Sequence, residues 1–293
     1  MRYGICRCLI ILAISISPLA SADETDFNQW LSELRTEATS LGISDKVLDG
    51  ALGNATPIKR VIELDRRQPE FTMTFEDYLS KIASTTRARV AATKLIEHDE
   101  ILTKISQKYG VQKRFIVTFW GVETNFGEYL GSFNVPYSLA TLAHDGRRSA
   151  YFRKELLNAL KILEEGHIAP DKMKGSWAGA MGQCQFMPSS FLSYAVDWNG
   201  DGKRDIWETK ADVFASTAYY LSKAGWRDDM TWGREVEIPT DLMLNGKGAK
   251  ALADAKIRLK LVEWSKAGII KTDGKALPSR DFTARLVMPA GSD

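Results

Sequence analysis

From residue 27 to residue 225 the apolar residues recur at helical spacing, and run after run closes on a glycine. Phe27, Trp30, Leu31 and Leu34 mark a first amphipathic helix. Between Ala83 and Tyr109, Val90, Leu95, Ile101, Leu102 and Ile105 keep one face apolar until Gly110. Val111 to Glu123 follows, then Tyr137 to Ala143. Ala150 to Glu165 carries Leu156, Leu157, Leu160 and Leu163 as a buried stripe and stops at Gly166; Ala211 to Ala224 stops at Gly225. Pro188-Ser189-Ser190 reads as another helix opening. Val61 to Phe71 is polar and contains Pro69, so it reads as a connector. After Trp226 the period changes. Val236, Ile238, Ile257, Leu259, Leu261 and Leu286-Val287-Met288 sit in short runs bounded by Gly, Pro and Asp, the pattern of strands and turns. The expected class is mainly α with a β addition (α+β): a helical region over 23–226 and a small β-containing lobe over 227–293. With 293 residues, 44% of them hydrophobic, the chain can bury a real core.

The first 22 residues stand apart. Arg2 and Arg7 form a positive start, Cys8 to Ser17 an apolar stretch too short to cross a bilayer, and Ala20-Ser21-Ala22 a small-residue cleavage site. The expectation is a secretory signal peptide over 1–22, a mature chain from Asp23 and a periplasmic location. Cys6 and Cys8 would leave with it, so Cys184 could form no intramolecular disulfide. No cysteine sits just after the cleavage site, so no membrane anchor is expected after cleavage. Without Arg2 and Arg7 the chain keeps 37 basic against 37 acidic residues. Such a balance offers no basic field for nucleic acid.

Glu123 ends the run Phe115-Ile116-Val117-Thr118-Phe119-Trp120-Gly121-Val122. An apolar setting disfavours the carboxylate, and so does a position at a helix C-terminus, where the macrodipole is negative. A glutamate that keeps its proton near neutral pH is what general acid catalysis requires. Phe119 and Trp120, four and three residues earlier, share or border its face. Thr124-Asn125-Phe126-Gly127 reads as the helix stop. The plainer alternative is a surface glutamate at a fraying helix end.

Two further segments carry chemistry. Lys174 to Ser190 has three glycines in eight residues among Ser, Gln, Trp and Phe. Glycines permit close backbone approach, Gln185 can donate and accept as sugar hydroxyls and amides require, and Trp177 and Phe186 could stack on sugar rings. The plainer alternative is a glycine-rich turn that merely packs. Asp197 to Glu208 matches a twelve-residue EF-hand calcium loop. Asp197, Asn199, Asp201 and Asp205 stand at positions 1, 3, 5 and 9, Gly202 at 6, the Lys203 carbonyl at 7 and Glu208 at 12. The alternative is a metal-free Asx turn. One loop inside a helical region suits a structural clamp better than a calcium sensor.

Glu123 with Thr124 and Gly127, the Gly175–Ser190 segment, and the calcium loop followed by Tyr219-Tyr220 and Gly225-Trp226 resemble the soluble lytic murein transglycosylase B family. The resemblance runs from about Phe27 to Gly291 and includes Ile62-Glu63-Leu64-Asp65-Arg66-Arg67-Gln68-Pro69-Glu70-Phe71. It implies a lysozyme-like helical core and cleavage of peptidoglycan between N-acetylmuramic acid and N-acetylglucosamine. It also implies Glu123 as the single acid and base, 1,6-anhydro ends, and no organic cofactor. By the same correspondence Ser176, Gln185 and Tyr220 line the cleft with Phe186. Peptidoglycan strands are the expected partner, with room for other cell-wall enzymes. In the family the chain continues past Leu286 to Gly291 with a strand and helix that return to the core. This chain ends at Asp293, so weaker binding and slower turnover are expected. The rival readings are a lysozyme-type hydrolase, a non-catalytic peptidoglycan-binding protein, and a secreted calcium-binding protein.

Overall fold

The computed structural model describes residues 22–67, 73–230 and 232–291. Residues 1–21 of the expected leader (1–22) and Gln68 to Phe71 of the polar connector lie outside them. The described chain opens with α1 (Ala22–Ser40), α2 (Asp45–Leu52), α3 (Lys59–Arg67), α4 (Phe75–Ile82), α5 (Thr85–Glu97), α6 (Asp99–Tyr109) and α7 (Lys113–Thr124). Next come β1 (Phe133–Asn134), α8 (Val135–His144), α9 (Ser149–Glu164), β2 (Lys174–Gly175), α10 (Pro188–Tyr194) and α11 (Lys210–Lys223). The remainder is β3 (Val236–Glu237), α12 (Ala249–Asp254), β4 (Arg258–Lys260), α13 (Leu261–Lys266), β5 (Ile270–Lys271) and β6 (Thr283–Arg285). The strands pair antiparallel as β1 with β2, β3 with β5 and β4 with β6.

Side-chain caps account for many of the helix starts. Ser44, Thr74, Ser84 and Asn134 each accept the backbone N–H three residues on, which satisfies donors the helix itself leaves unpaired. Three apolar clusters then hold the helices and strands. Phe27, Leu34, Leu48, Leu139, Phe152, Leu160 and Phe191 join α1, α2, α8, α9 and α10. Leu102, Ile105, Ile116, Val117, Trp120, Phe214 and Ala218 join α6, α7 and α11. Leu252, Leu261, Trp264, Ile269 and Leu286 form the third, within residues 236–288. Cys184 packs against both helical clusters and so marks the seam between them.

The structure corrects four expectations. Val61 to Arg67 is helical, not a connector, because Val61 and Asp65 stand four apart and both are buried. The single helix expected over Ala83 to Tyr109 is broken at His98 (φ −112°, ψ 20°), whose ring wedges edge-on between Trp120 and Phe214 at 5.6 and 5.3 Å. Leu261 opens α13 instead of ending a strand; the Glu263 carboxylate accepts the Lys260 N–H at 2.8 Å and starts the helix there. The last pairing falls on Thr283 to Arg285, just before Leu286-Val287-Met288, and Leu286 is buried beneath it.

Candidate active site

A cavity of about 260 Å³ opens at the seam of the two helical clusters. It is lined by Phe119 and Glu123 from α7, Cys184 to Met187 from the loop before α10, Ser190 from α10, and Thr217 and Tyr220 from α11. The seam therefore brings together three stretches separated by some sixty and thirty residues.

Glu123 sits in the last turn of α7 with Phe119 one turn before it on the same side. Trp120 borders that face but turns into the core, 2% exposed. Among the described residues no hydrogen bond or ion pair meets the Glu123 carboxyl. Removal from water is what raises its pKa above the usual carboxylate range. The helix end that presents it is tightly made. Asn125, Phe126 and Gly127 take φ of 51, 62 and 83°, three left-handed residues in a row. This reverses the chain and tucks Phe126 against Trp120, ring centroids 5.5 Å apart. Burial of Phe126 offsets the conformational cost, about 1–2 kcal/mol for each non-glycine residue. Gly127 is required twice over, since a Cβ there would stand 2.3 Å from the Gln183 side-chain oxygen.

Gln183, 2% exposed, ties α7 to the loop. Its Oε1 accepts from Trp120 Nε1 at 2.7 Å and Lys210 Nζ at 3.0 Å, and its Nε2 donates to the Trp207 carbonyl at 2.6 Å. Its carbonyl accepts from Thr124 Oγ1 at 3.2 Å. Beside it, Cys184 is held between the Val213 carbonyl and the Thr217 hydroxyl, each 3.4 Å from its sulfur. Burial pushes its thiol up to about 12, so it faces the cavity as a neutral group. Nothing in the local sequence marks Gln183 as this tie, or Cys184, Met187, Ser190 or Thr217 as cavity residues. Gln183 and Cys184 act through partners 24 to 63 residues away, which no local pattern displays.

Gln185, Phe186 and Tyr220 all line the cavity with Glu123. Gln185 adopts φ 48°; its amide Nε2 donates to the Gly182 and Leu130 carbonyls at 3.0 and 3.3 Å, leaving Oε1 as an acceptor. Phe186 and Tyr220 stand 5.5 Å apart, and Tyr194 meets Tyr220 edge-on at 5.1 Å. Ser176 does not line this cavity: its hydroxyl accepts the Ala180 N–H at 3.0 Å, and its N–H donates to the Ala180 carbonyl at 2.8 Å. Trp177 packs on the first cluster instead of the cavity. The glycines here also serve packing. Gly182 takes φ 67°, and a Cβ on it would meet Ile206 at 2.5 Å.

The chemistry of the 197–208 loop fits a hard cation, with Asp, Asn, Glu and carbonyl oxygens as donors and Gly202 at φ 87° for the sharp turn. Its side chains are not gathered as expected. Among the described residues no group of three or more His, Cys, Asp or Glu is placed to hold an ion. Asp197 accepts the N–H groups of Gly200, Asp201 and Gly202, and Asp201 those of Lys203 and the Asn199 side chain. Asp205 accepts from Trp207, Glu208 and Thr209, and Glu208 is exposed. Backbone N–H groups of the loop itself meet these carboxylates, each of which keeps further lone pairs for a cation. Arg204 ties the loop to the end of α9 through Glu165 at 2.6 Å and stacks over Phe191 at 5.0 Å.

Residues 26–293 match the family described as Transglycosylase SLT domain. The membrane-bound lytic murein transglycosylase B of Escherichia coli (strain K12) is 35% identical over 174 residues, 59% of this chain and 46% of its own. The chain thus spans about half the length of the curated relative it matches. The crystal structure of SltB3 from Pseudomonas aeruginosa in complex with NAG-NAM-pentapeptide superimposes with a TM-score of 0.84 at 42% identity, covering 90% of this chain and 70% of that one. The Escherichia coli lytic transglycosylase Slt35 in complex with calcium gives 0.70 at 26% identity, over 93% and 83%.

Proposed function

The chain belongs to the transglycosylase SLT domain family, and from that premise we propose that it is a lytic transglycosylase acting on peptidoglycan. Its substrate would be the glycan carrying peptide stems, the material that SltB3 holds as NAG-NAM-pentapeptide. The observation that carries the reading is the Glu123 carboxyl, raised in pKa by desolvation and lining a cavity with Gln185, Phe186 and Tyr220.

Glu123 would first act as the acid and protonate the oxygen leaving C1 of N-acetylmuramic acid. As the carboxylate it would then take the proton from that sugar's own C6 hydroxyl, and O6 would close on C1 to leave a 1,6-anhydro end. Supplying the nucleophile from the same sugar replaces an encounter with water by a ring closure. Two-carboxylate glycosidases need a second acid about 5–9.5 Å away; of the residues lining this cavity, Glu123 is the one carboxylate. That favours the single-glutamate route over a lysozyme-type hydrolase. Tyr220 and Phe186 would offer ring faces to the sugars, Gln185 Oε1 would accept from a hydroxyl or amide, and Ser176 would contribute outside the cavity itself.

The test is mass spectrometry of muropeptides released from purified sacculi. Wild-type protein should yield 1,6-anhydro ends, and Glu123→Gln, nearly isosteric but unable to give or take the proton, should lower that yield by ~10²–10⁴-fold. More than a tenth of wild-type yield from Glu123→Gln would sink the assignment.

The organisation that suits this role is a signal peptide over 1–22, a catalytic region over 23–226 and a small β-containing lobe over 227–293. The self-contained third cluster supports the last division. Export would place the protein in the periplasm, where the glycan lies. Among the described residues no helix is long and apolar enough to cross a membrane. Calcium would be held by Asp197, Asn199, Asp201, Asp205, Glu208 and the Lys203 carbonyl as a structural ion; the calcium complex of Slt35 supports this. No chemical step runs through it.

A further inference from the structure

A second groove, about 510 Å³, lies where the chain leaves α11 and meets the β4–β6 pair. It shares no lining residue with the Glu123 cavity. Its walls are aromatic, with Trp226, Trp232 and Phe282 lining it. Trp226 is fixed: its Nε1 donates to Gln112 Oε1 at 2.8 Å, and its ring meets Phe115 edge-on at 4.5 Å. Trp232, by contrast, leaves 78% of its surface in water. An indole so exposed beside a fixed one is a contact surface waiting for a partner with an apolar side.

The charges of the groove do not balance. Arg227 is spent on Asp229 through two hydrogen bonds of 2.6 and 3.0 Å, and Asp281 on Lys260 at 3.0 Å. Arg258 also lines the groove, and among the described residues its guanidinium has neither an ion pair nor a hydrogen bond. Directly opposite it across the β4–β6 pair stands Arg285, whose guanidinium likewise has neither. Both are exposed. Like charges directly opposite on paired strands are destabilising. An anion bound at Arg258 would relieve that pair, and a guanidinium offers a carboxylate two parallel N–H donors.

We propose that this groove is a second ligand site, which takes the terminal carboxylate of a peptidoglycan stem peptide at Arg258 and packs the peptide against Trp226 and Trp232. The proposal rests on the peptidoglycan reading above and adds the peptide as a recognition element. Bare N-acetylglucosamine chains have no carboxylate, so the groove would separate peptide-bearing strands from them.

The experiment uses the full chain carrying Glu123→Gln, so that ligand is not turned over, and measures binding of soluble NAG-NAM-pentapeptide by calorimetry. Three probes are compared: that muropeptide, the same compound amidated at the peptide C-terminus, and a peptide-free N-acetylglucosamine oligomer. Adding Arg258→Glu should weaken the muropeptide about tenfold or more and leave the peptide-free oligomer within twofold. Amidation should cause a similar loss with Arg258 present. The substitution faces Arg285 and so makes a cross-strand ion pair, which should hold the melting temperature. Trp232→Ala, at an exposed position, is the second variant and should show the same selective loss. Equal muropeptide affinity in the presence of Arg258→Glu, or equal loss of both ligands, overturns the proposal. Release of 1,6-anhydro ends by protein with Glu123 intact is followed in parallel. If those ends are absent, the catalytic reading fails; if they form while Arg258→Glu has no effect, the second site alone fails.

Discussion

Glu123 keeps its carboxyl among Phe119, Phe186 and a neutral thiol, and that environment has a consequence for stability as well as for catalysis. Its pKa is raised by desolvation, so the folded state binds that proton more tightly than the unfolded chain does. Below the unfolded pKa both states are protonated and the site carries no penalty. As pH rises from there through the raised folded value, stability is lost. Glu123→Gln should therefore melt higher than wild type at pH 7, with the gap closing near pH 4, in parallel thermal scans. The same shift places the alkaline limb of kcat/KM above the ordinary glutamate range, because the first step needs the protonated acid. Gln183 is the opposite kind of residue, buried and hydrogen-bonded through both the oxygen and the nitrogen of its amide. Gln183→Ala should cost about 2–4 kcal/mol in urea unfolding, since it strands Trp120 Nε1, Lys210 and the Trp207 carbonyl together. Glu123 was legible in the sequence because its apolar neighbours are the residues just before it. Gln183 was not, because each of its side-chain partners lies at least 24 residues away.

At the scale of elements, α3 shows how a polar stretch becomes a fixed helix. Asp65 is 2% exposed and accepts from Arg147 Nε and Arg148 Nη2, each at 2.6 Å, which locks α3 to the turn between α8 and α9. Those guanidinium groups, Arg147 first, hold its pKa below the usual carboxylate range. A depressed folded pKa contributes stability above the unfolded value and loses it as pH falls through the folded one. Asp65→Asn should therefore cost about 1–3 kcal/mol at pH 7, below the figure for a fully buried pair because both arginines are half exposed. The difference should shrink on acidification below about pH 4. An unchanged difference in chemical denaturation at pH 3 would show that the pair is idle. Composition hid this helix, since periodicity counts apolar residues and half of the α3 anchor is a salt bridge.

For the whole molecule, the 197–208 loop lies between α10 and α11, next to the seam that carries the cavity. Calcium binding only the folded state would add about 2.7 kcal/mol at a hundredfold excess over Kd. For a protein of this size that is roughly 5–10 °C in Tm. Glu208→Ala should remove most of the shift. If EDTA and excess calcium give superimposable melting curves, the loop is a hydrogen-bonded turn and nothing more.

The sequence by itself determined the helical class, the change of character after Trp226 and the apolar helix face that ends at Glu123. These are written in short-range periods and stops, and 3.6-residue geometry converts them directly into faces. Only the tertiary structure decided that Trp120 turns inward while Phe119 turns to the cavity. The same holds for the Ser176 hydroxyl, taken by a turn, for the loop carboxylates, met by backbone N–H groups, and for two arginines, without an ion pair among the described residues, facing each other beside an exposed tryptophan. Each of those outcomes is a competition among partners far apart in the chain, and the spacing of residues along a strand or helix contains no term for it.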